Sequence, residues 1–121
     1  MLRLAIARLL LVRPRLLLID EPFAALDAEV RARLAAFLPE LCTLARPAVV
    51  VATGSVEEAL YLADRVLVLP REPGPAAFSL DNLLARPREE GSVGFVTLRR
   101  ELRRALEKED RHTVPEVEAA A

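Results

Sequence analysis

The sequence predicts an α/β fold in which a small parallel sheet is flanked by helices. Three apolar runs, at residues 16–19, 48–53 and 65–69, have the composition and length of buried strands. Stretches with apolar residues at helical spacing separate these runs. The order strand, helix, strand, helix, strand is typical of parallel pairing through crossover connections, so we expect about three parallel strands.

The chain begins with a stretch that predicts a helix leading into the first strand. Apolar residues recur on one stripe over residues 2–12, and Pro14 ends the pattern. The same stretch is rich in arginine and free of acidic residues, which are features of an organelle-targeting peptide. We favour the helix, because the run 16–19 has the continuous apolar character of a strand that is covered on both faces.

Two helices are predicted between the three strands. Apolar residues repeat at helical spacing over residues 30–44, and Asp27 is a suitable N-cap for this helix. Pro39 lies inside the pattern and predicts a kink or a break there. The second helix opens with the spacing of a capping box, in which Ser55 is followed three residues later by Glu58.

The composition of the sequence changes after Pro70. A connector rich in proline and glycine leads to a short edge strand at residues 77–80 and then to an amphipathic helix at residues 93–109. We therefore divide the chain into a core, residues 1–70, and a C-terminal part, residues 71–121, that ends in this helical tail.

Composition excludes several classes of protein. The chain has 17 basic and 18 acidic residues and a net charge of −1, which argues against a nucleic-acid-binding arm. Cys42 and His112 are the only residues of their types, so a disulfide and a metal site built from several histidines or cysteines are excluded. No run reaches the roughly 18 apolar residues of a membrane span.

Two adjacent carboxylates follow the first predicted strand. Asp20 and Glu21 come directly after the apolar run, and the segment 53–55 follows the second strand. Because the carboxyl ends of parallel strands share one edge of the sheet, we expect both groups at that edge. Two acids there suit Mg²⁺ binding and water orientation in phosphoryl transfer. The simpler alternative is a strand that runs out into solvent.

A longer string around the carboxylates resembles the ATP-binding subunits of ABC transporters. The resemblance rests on LAIARLLLVRPRLLLIDEPFAALDAEVRARL, in which residues 16–21 match the Walker B strand and residues 25–27 match the D-loop. EEALYLADRVLVL matches the helix and strand after the switch histidine of the family. The tail DNLLARPREEGSVGFVTLRREL resembles the nitrate, sulfonate and taurine import branch. The resemblance extends to about residue 108 and implies part of a P-loop NTPase fold.

The resemblance implies a role for each matched residue. Asp20 would help to hold Mg²⁺ through its water shell, and Glu21 would act as the general base that polarises the attacking water. Pro22 would set the turn, and Asp27 would lie at the interface of two ATP-binding subunits. Gly54 takes the place of the switch histidine, which makes the H-loop degenerate.

The sequence departs from the family in the groups that grip the nucleotide. Lys108 is the only lysine and follows no glycine-rich loop, so the 121 residues contain no Walker A motif. The Walker A motif, the glutamine loop and the signature loop would all precede Met1. We therefore expect a truncated or degenerate subunit that, as an isolated chain, binds ATP no better than millimolar and does not hydrolyse it measurably.

The family also implies partners and a location. They are a transmembrane permease subunit and a second ATP-binding subunit, arranged head to tail, at the cytoplasmic face of the plasma membrane, with ATP and Mg²⁺ as cofactors. The alternative is a non-catalytic interaction module, or half of a split subunit that pairs with another chain. A signalling receiver domain is disfavoured, because it needs an acidic pair on an earlier strand and a lysine on a late one.

Overall fold

A computed structural model describes residues 2–23 and 26–112. The chain divides after Leu62 into two compact units, here called unit 1 (residues 1–62) and unit 2 (residues 63–121). The described part of unit 1 holds α1 Leu2–Leu11, β1 Leu16–Asp20, α2 Ala28–Ala45, β2 Ala48–Ala52 and α3 Val56–Leu62. The described part of unit 2 holds β3 Arg65–Val68, β4 Phe78–Asp81 and α4 Val93–His112. The α/β class is thus confirmed, whereas the domain boundary at residue 70 stays a prediction.

Strands β1 and β2 form a parallel pair, as the sequence predicts. The register runs from Leu16 opposite Ala48 to Asp20 opposite Ala52, so the two strands end level with each other. Alternate residues of β1 point to opposite faces. Leu17 is buried on one face, whereas Leu18 on the other is 69% exposed. In the part of the chain that the structure describes, only one face of this sheet is covered.

The core of unit 1 lies between the covered face of the sheet and the helices. Its buried members come from α1, β1, the turn after β1, and α2; they are Leu10, Leu17, Phe23, Ala35 and Leu38. Tyr61 and Leu62 of α3 pack against this cluster. Phe23 is only 2% exposed and therefore anchors the turn that follows the two acidic residues.

Helix α2 runs through Pro39 without a break, so the predicted break is wrong. Proline removes one backbone hydrogen bond from a helix interior and costs about 3 kcal/mol there. Ala35 and Leu38, which precede it, are buried in the core and hold the helix against this cost. The Thr43 hydroxyl also donates a hydrogen bond of 2.9 Å to the Pro39 carbonyl oxygen. A kink at this position stays a prediction.

Strand β3 does not join the parallel sheet, which corrects the expectation of about three parallel strands. It pairs antiparallel with β4, with Arg65 opposite Asp81 and Val68 opposite Phe78. The two strands are near in sequence, and β3 alternates exposed and buried residues, which is the pattern of an antiparallel strand with one solvated face. The expected edge strand is observed as β4.

Unit 2 packs its antiparallel strands and α4 around a small core. Its buried apolar residues are Val66, Val68, Leu80, Phe95 and Leu102. Phe95 and Leu102 lie on the apolar stripe that the sequence predicts for the last helix. No helix in the described ranges is both long and apolar enough to cross a bilayer.

A charged side chain, that of Arg88, lies inside unit 2 with only 2% of its surface exposed. Its guanidinium donates to the carbonyl oxygens of Ala63 at 2.7 Å, Leu84 at 3.2 Å and Asn82 at 3.5 Å. It also donates to the Asp64 carboxylate at 3.4 Å. Burial lowers the pKa of the Arg88 guanidinium, but arginine titrates so far above neutrality that the group stays charged. Arg88 therefore joins residues 63–64 to residues 82–84 within unit 2.

Candidate functional site

The two acidic residues lie at the carboxyl edge of the parallel sheet. Asp20 is the last residue of β1 and Glu21 the first beyond it, and both are exposed. The Glu21 N–H donates a hydrogen bond of 2.8 Å to the Ala52 carbonyl oxygen, which continues the strand pairing by one residue. The chain after β2, beginning at Thr53, therefore leaves the sheet beside Glu21.

Glu21 has a left-handed backbone conformation with φ of 44°. Residues other than glycine adopt this conformation at a cost of roughly 1–2 kcal/mol. The hydrogen bond to Ala52 on one side and the buried Phe23 on the other hold the turn in place. Such strained residues occur often at functional sites, where the surrounding structure fixes them.

The Glu21 carboxylate lies against position 54. A Cβ atom built at Gly54 would be 3.6 Å from Glu21 Oε1, an ordinary van der Waals distance. Gly54 does not have a positive φ, so its backbone accepts a side chain. The structure thus brings together Glu21, the candidate general base, and Gly54, the position that the resemblance assigns to the switch histidine.

This closeness leads to a testable prediction for the variant Gly54→His. The introduced imidazole would lie beside the Glu21 carboxylate. The carboxylate favours the charged form of the imidazole and so raises the pKa of the histidine above the usual value of about 6.5. Because Glu21 is exposed, we expect the rise to be no more than about one pKa unit. A titration followed by NMR measures it. The double variant Gly54→His/Glu21→Gln serves as control, and an equal pKa in both variants would contradict the geometry.

A network of hydrogen bonds fixes the turn after β2. The Ser55 hydroxyl accepts a hydrogen bond of 3.3 Å from the Glu58 N–H, which confirms half of the predicted capping box. The Ser55 N–H donates to Thr53 Oγ1 at 3.1 Å, and the Thr53 hydroxyl donates to Glu58 Oε2 at 2.8 Å. Thr53 therefore stands between the two groups that a capping box would join directly.

Arg31 of α2 extends this network to the segment before α2. Its Nε lies 3.7 Å from Glu58 Oε1, and its Nη2 donates to the Leu26 carbonyl oxygen at 3.1 Å. The Asp27 carboxylate caps α2 by accepting a hydrogen bond of 2.9 Å from the Val30 N–H. The predicted N-cap is confirmed, and Asp27 is thereby engaged with its own helix.

The site offers a partial set of metal ligands. No group of three or more histidine, cysteine, aspartate or glutamate side chains is arranged to hold a metal among the described residues. Mg²⁺ is commonly held by one or two carboxylates together with water and substrate phosphates. The exposed carboxylate of Asp20 at the sheet edge suits that kind of binding and does not form a complete site by itself.

Sequence reasoning missed the parts that Thr53, Arg31 and Glu58 play in the site. For Glu58 the sequence predicts only a capping box, through its spacing from Ser55. A threonine at a strand exit and an arginine one turn into a helix carry no distinctive pattern. The contact of Arg31 with Glu58 follows from the packing of α2 against α3, which only the three-dimensional structure shows.

Comparison with known proteins identifies relatives among import systems. No protein-family model matches the chain. The chain is 45% identical over 113 residues to the aliphatic sulfonates import ATP-binding protein SsuB 2 of Mesorhizobium japonicum. The matched region covers 93% of this chain and 45% of that protein. The chain is 57% identical over 67 residues to SsuB 2 of Nocardia farcinica, covering 55% of this chain and 28% of that protein.

A third relative gives the same result. The chain is 48% identical over 104 residues to the aliphatic sulfonates import ATP-binding protein SsuB 1 of Pseudomonas fluorescens, covering 86% of this chain and 39% of that protein. The chain spans less than half the length of these relatives. The residues that it shares with them place the chain in the family of ATP-binding subunits of ABC importers.

Proposed function

We propose that the chain is the Walker B part of an ATP-binding subunit that energises import of aliphatic sulfonates. One observation carries the proposal: identity to sulfonate-import proteins reaches 45% over 93% of the chain. The position of Asp20 and Glu21 at the carboxyl edge of β1 and β2 supports it. In this proposal β1 and β2 form part of a larger P-loop NTPase sheet.

The chemistry of the site follows from its two carboxylates. Asp20 would help to hold Mg²⁺ through its water shell, and the ion would supply charge neutralisation at the ATP phosphates. Glu21 accepts a hydrogen bond from the attacking water and takes up its proton as general base. The left-handed backbone at Glu21 sets the direction in which its side chain leaves the main chain. Gly54 offers no side chain to the phosphate, so transition-state positioning at this edge is weakened.

The assembly that we propose contains other subunits besides this chain. Asp27 lies at the contact with a second ATP-binding subunit, and the pair docks on a membrane permease at the cytoplasmic face of the plasma membrane. The bare face of the parallel sheet supports association with additional polypeptide. Leu16, Leu18 and Val50 on that face are each more than half exposed, although parallel sheets are normally covered on both faces.

Nucleotide binding tests the proposal. The 121 residues contain no phosphate-binding loop, so we expect calorimetry to show an ATP dissociation constant no tighter than millimolar and no measurable hydrolysis for this chain alone. A chimera supplies the rest of the subunit: the matched 113 residues of the Mesorhizobium japonicum relative are replaced by those of this chain. The chimera should bind ATP with Mg²⁺ well below millimolar. Tight binding by the chain alone, lost in Asp20→Asn, would overturn the proposal.

The alternative function is a non-catalytic interaction module or half of a split subunit. Gly54, at the position that the resemblance assigns to the switch histidine, favours it over an active ATPase. Size-exclusion chromatography separates the alternatives: a stable monomer indicates an independent fold, whereas dimers or aggregates indicate that a covering half is missing.

A further inference from the structure

We propose that Glu58 is a positioning residue of the candidate site. It holds the turn of residues 53–55 against the Glu21 carboxylate and connects this turn, through Arg31, to the start of α2. The inference rests on the proposed function, because it assigns a supporting residue to the same edge of the sheet. Glu58 itself touches no reacting group; it acts through the turn.

The surroundings of Glu58 differ from those of an ordinary capping residue. Its side chain is only 11% exposed, and a carboxylate withdrawn from water needs compensating donors. Its two oxygens turn to different partners: Oε2 accepts from the Thr53 hydroxyl, and Oε1 faces Arg31. The Ser55 N–H, which a capping box would pair with Glu58, bonds to Thr53 Oγ1 instead. The orientation of Thr53, and through it that of the Ser55 amide, therefore depends on Glu58.

The turn that Glu58 holds determines the geometry opposite Glu21. Gly54 lies between the two residues that the network fixes, and its Cβ position is 3.6 Å from Glu21 Oε1. A rotation of the peptide planes on either side of Gly54 would change the distance between its Cβ position and Glu21 Oε1 directly. Fixing Thr53 and Ser55 thus fixes how close position 54 comes to the candidate general base.

Arg31 connects Glu58 to a second segment, the residues just before α2. Its guanidinium donates to the Leu26 carbonyl oxygen and faces Glu58, and it is 44% exposed. Leu26 belongs to the segment that matches the D-loop, next to the helix cap Asp27. A continuous series of contacts therefore runs from Leu26 through Arg31, Glu58 and Thr53 to the Ser55 N–H. Such a series predicts energetic coupling between the two segments, which a double-mutant cycle measures.

Amide hydrogen exchange of the full 121-residue chain, followed by NMR without nucleotide, tests the proposal. Glu58→Gln keeps the size of the side chain and removes its charge. We expect the Ser55 amide to exchange about tenfold faster, because the neutral amide oxygen of glutamine accepts from the Thr53 hydroxyl more weakly than a carboxylate does and no longer pairs with Arg31. Arg31→Gln should accelerate the same amide, although Arg31 does not contact it. The double variant should show less than the product of the two single effects.

A matched control comes from α2, the helix that carries Arg31. Glu29 and Arg33 form an ion pair of the same residue types, but both side chains are more than 70% exposed. Glu29→Gln should change Ser55 exchange by less than about twofold, because exposed pairs contribute little. Unchanged Ser55 exchange in Glu58→Gln overturns the proposal. So does an equal acceleration of the β1 and β2 amides, since that result shows a general loss of stability.

A second pair of variants keeps the test decisive if Glu58→Gln does not fold. Thr53→Val removes the bridging hydroxyl and should accelerate Ser55 exchange, whereas Thr53→Ser retains the hydroxyl and should restore the parent rate. Equal rates in both variants would overturn the proposal. The readout needs no ATP, so a chimera that fails to bind ATP would refute the proposed function and leave the exchange result standing.

Discussion

Replacing Arg88 by alanine is expected to lower the free energy of unfolding of unit 2 by about 3–5 kcal/mol, mainly through lost hydrogen bonds and a cavity. The substitution leaves the carbonyl oxygens of Ala63, Leu84 and Asn82 without the donor that the guanidinium gives them. A hydrogen bond from a charged group contributes about 1.5–3 kcal/mol, less where water reaches a part-buried acceptor, and the space left by the side chain adds to the loss. Small domains are stable by only about 5–15 kcal/mol, so a large fraction of the total is removed.

Native-state hydrogen exchange of the β3 and β4 amides measures this effect within unit 2. Arg86→Ala is the matched control, because Arg86 donates to the same Asp64 carboxylate from an exposed position. Its loss should cost less than about 1 kcal/mol. Arg88→Lys should remain clearly destabilised, since a single ammonium cannot replace a planar guanidinium that serves several carbonyl oxygens in different directions. Similar stabilities of the Arg86 and Arg88 alanine variants would contradict the prediction.

The parallel pair and its carboxyl edge were predictable, because both depend on local patterns. An apolar run that ends in Asp20 and Glu21, followed by a helical stretch and a second apolar run, leaves few arrangements other than two parallel strands ending side by side. The N-cap at Asp27 is equally local. These features need only the alternation of strand and helix and the chemistry of single positions.

The errors in the fold arose where the sequence supports two kinds of pairing. RVLVL is apolar enough for a buried parallel strand, yet it alternates buried and exposed residues in the structure and pairs with the strand that follows it. The break expected at Pro39 was outweighed by the burial of Ala35 and Leu38 in the core. In both cases the packing around the segment, rather than its own composition, decided the outcome.

Contacts between distant residues of the site were the least predictable part. Glu58 carries a strong local signal as a capping residue, and that signal hid its contacts with Thr53 and Arg31. The short distance between Glu21 and Gly54 depends on a left-handed backbone at Glu21, and no residue pattern in the sequence predicts that conformation. Sequence therefore located the edge where the chemistry is proposed, and the structure supplied the network that supports it.

In the ATP-binding chimera, replacing Glu21 by glutamine is expected to slow hydrolysis by about 10²–10⁴-fold. The comparison uses the chimera with Gly54→His as its parent, because that substitution supplies the imidazole that the resemblance implies for this position. Glutamine has nearly the size of glutamate and can still accept a hydrogen bond from water, but it cannot take up a proton. ATP affinity should therefore stay within a few-fold of the parent, on the order of 1 kcal/mol or less, while the turnover rate falls.

Single-turnover hydrolysis and equilibrium nucleotide binding, measured on the same preparations, separate these two effects. Glu40→Gln is the control, since Glu40 is an exposed residue of α2 beyond Pro39. It should leave both rate and affinity unchanged. Asp20→Asn should behave differently from Glu21→Gln, because a weaker hold on Mg²⁺ raises the Mg²⁺ concentration needed for half-maximal hydrolysis. If Glu21→Gln hydrolyses ATP at the parent rate, a water-activating role for this carboxylate is ruled out, and the left-handed turn that fixes it at the sheet edge serves the fold alone.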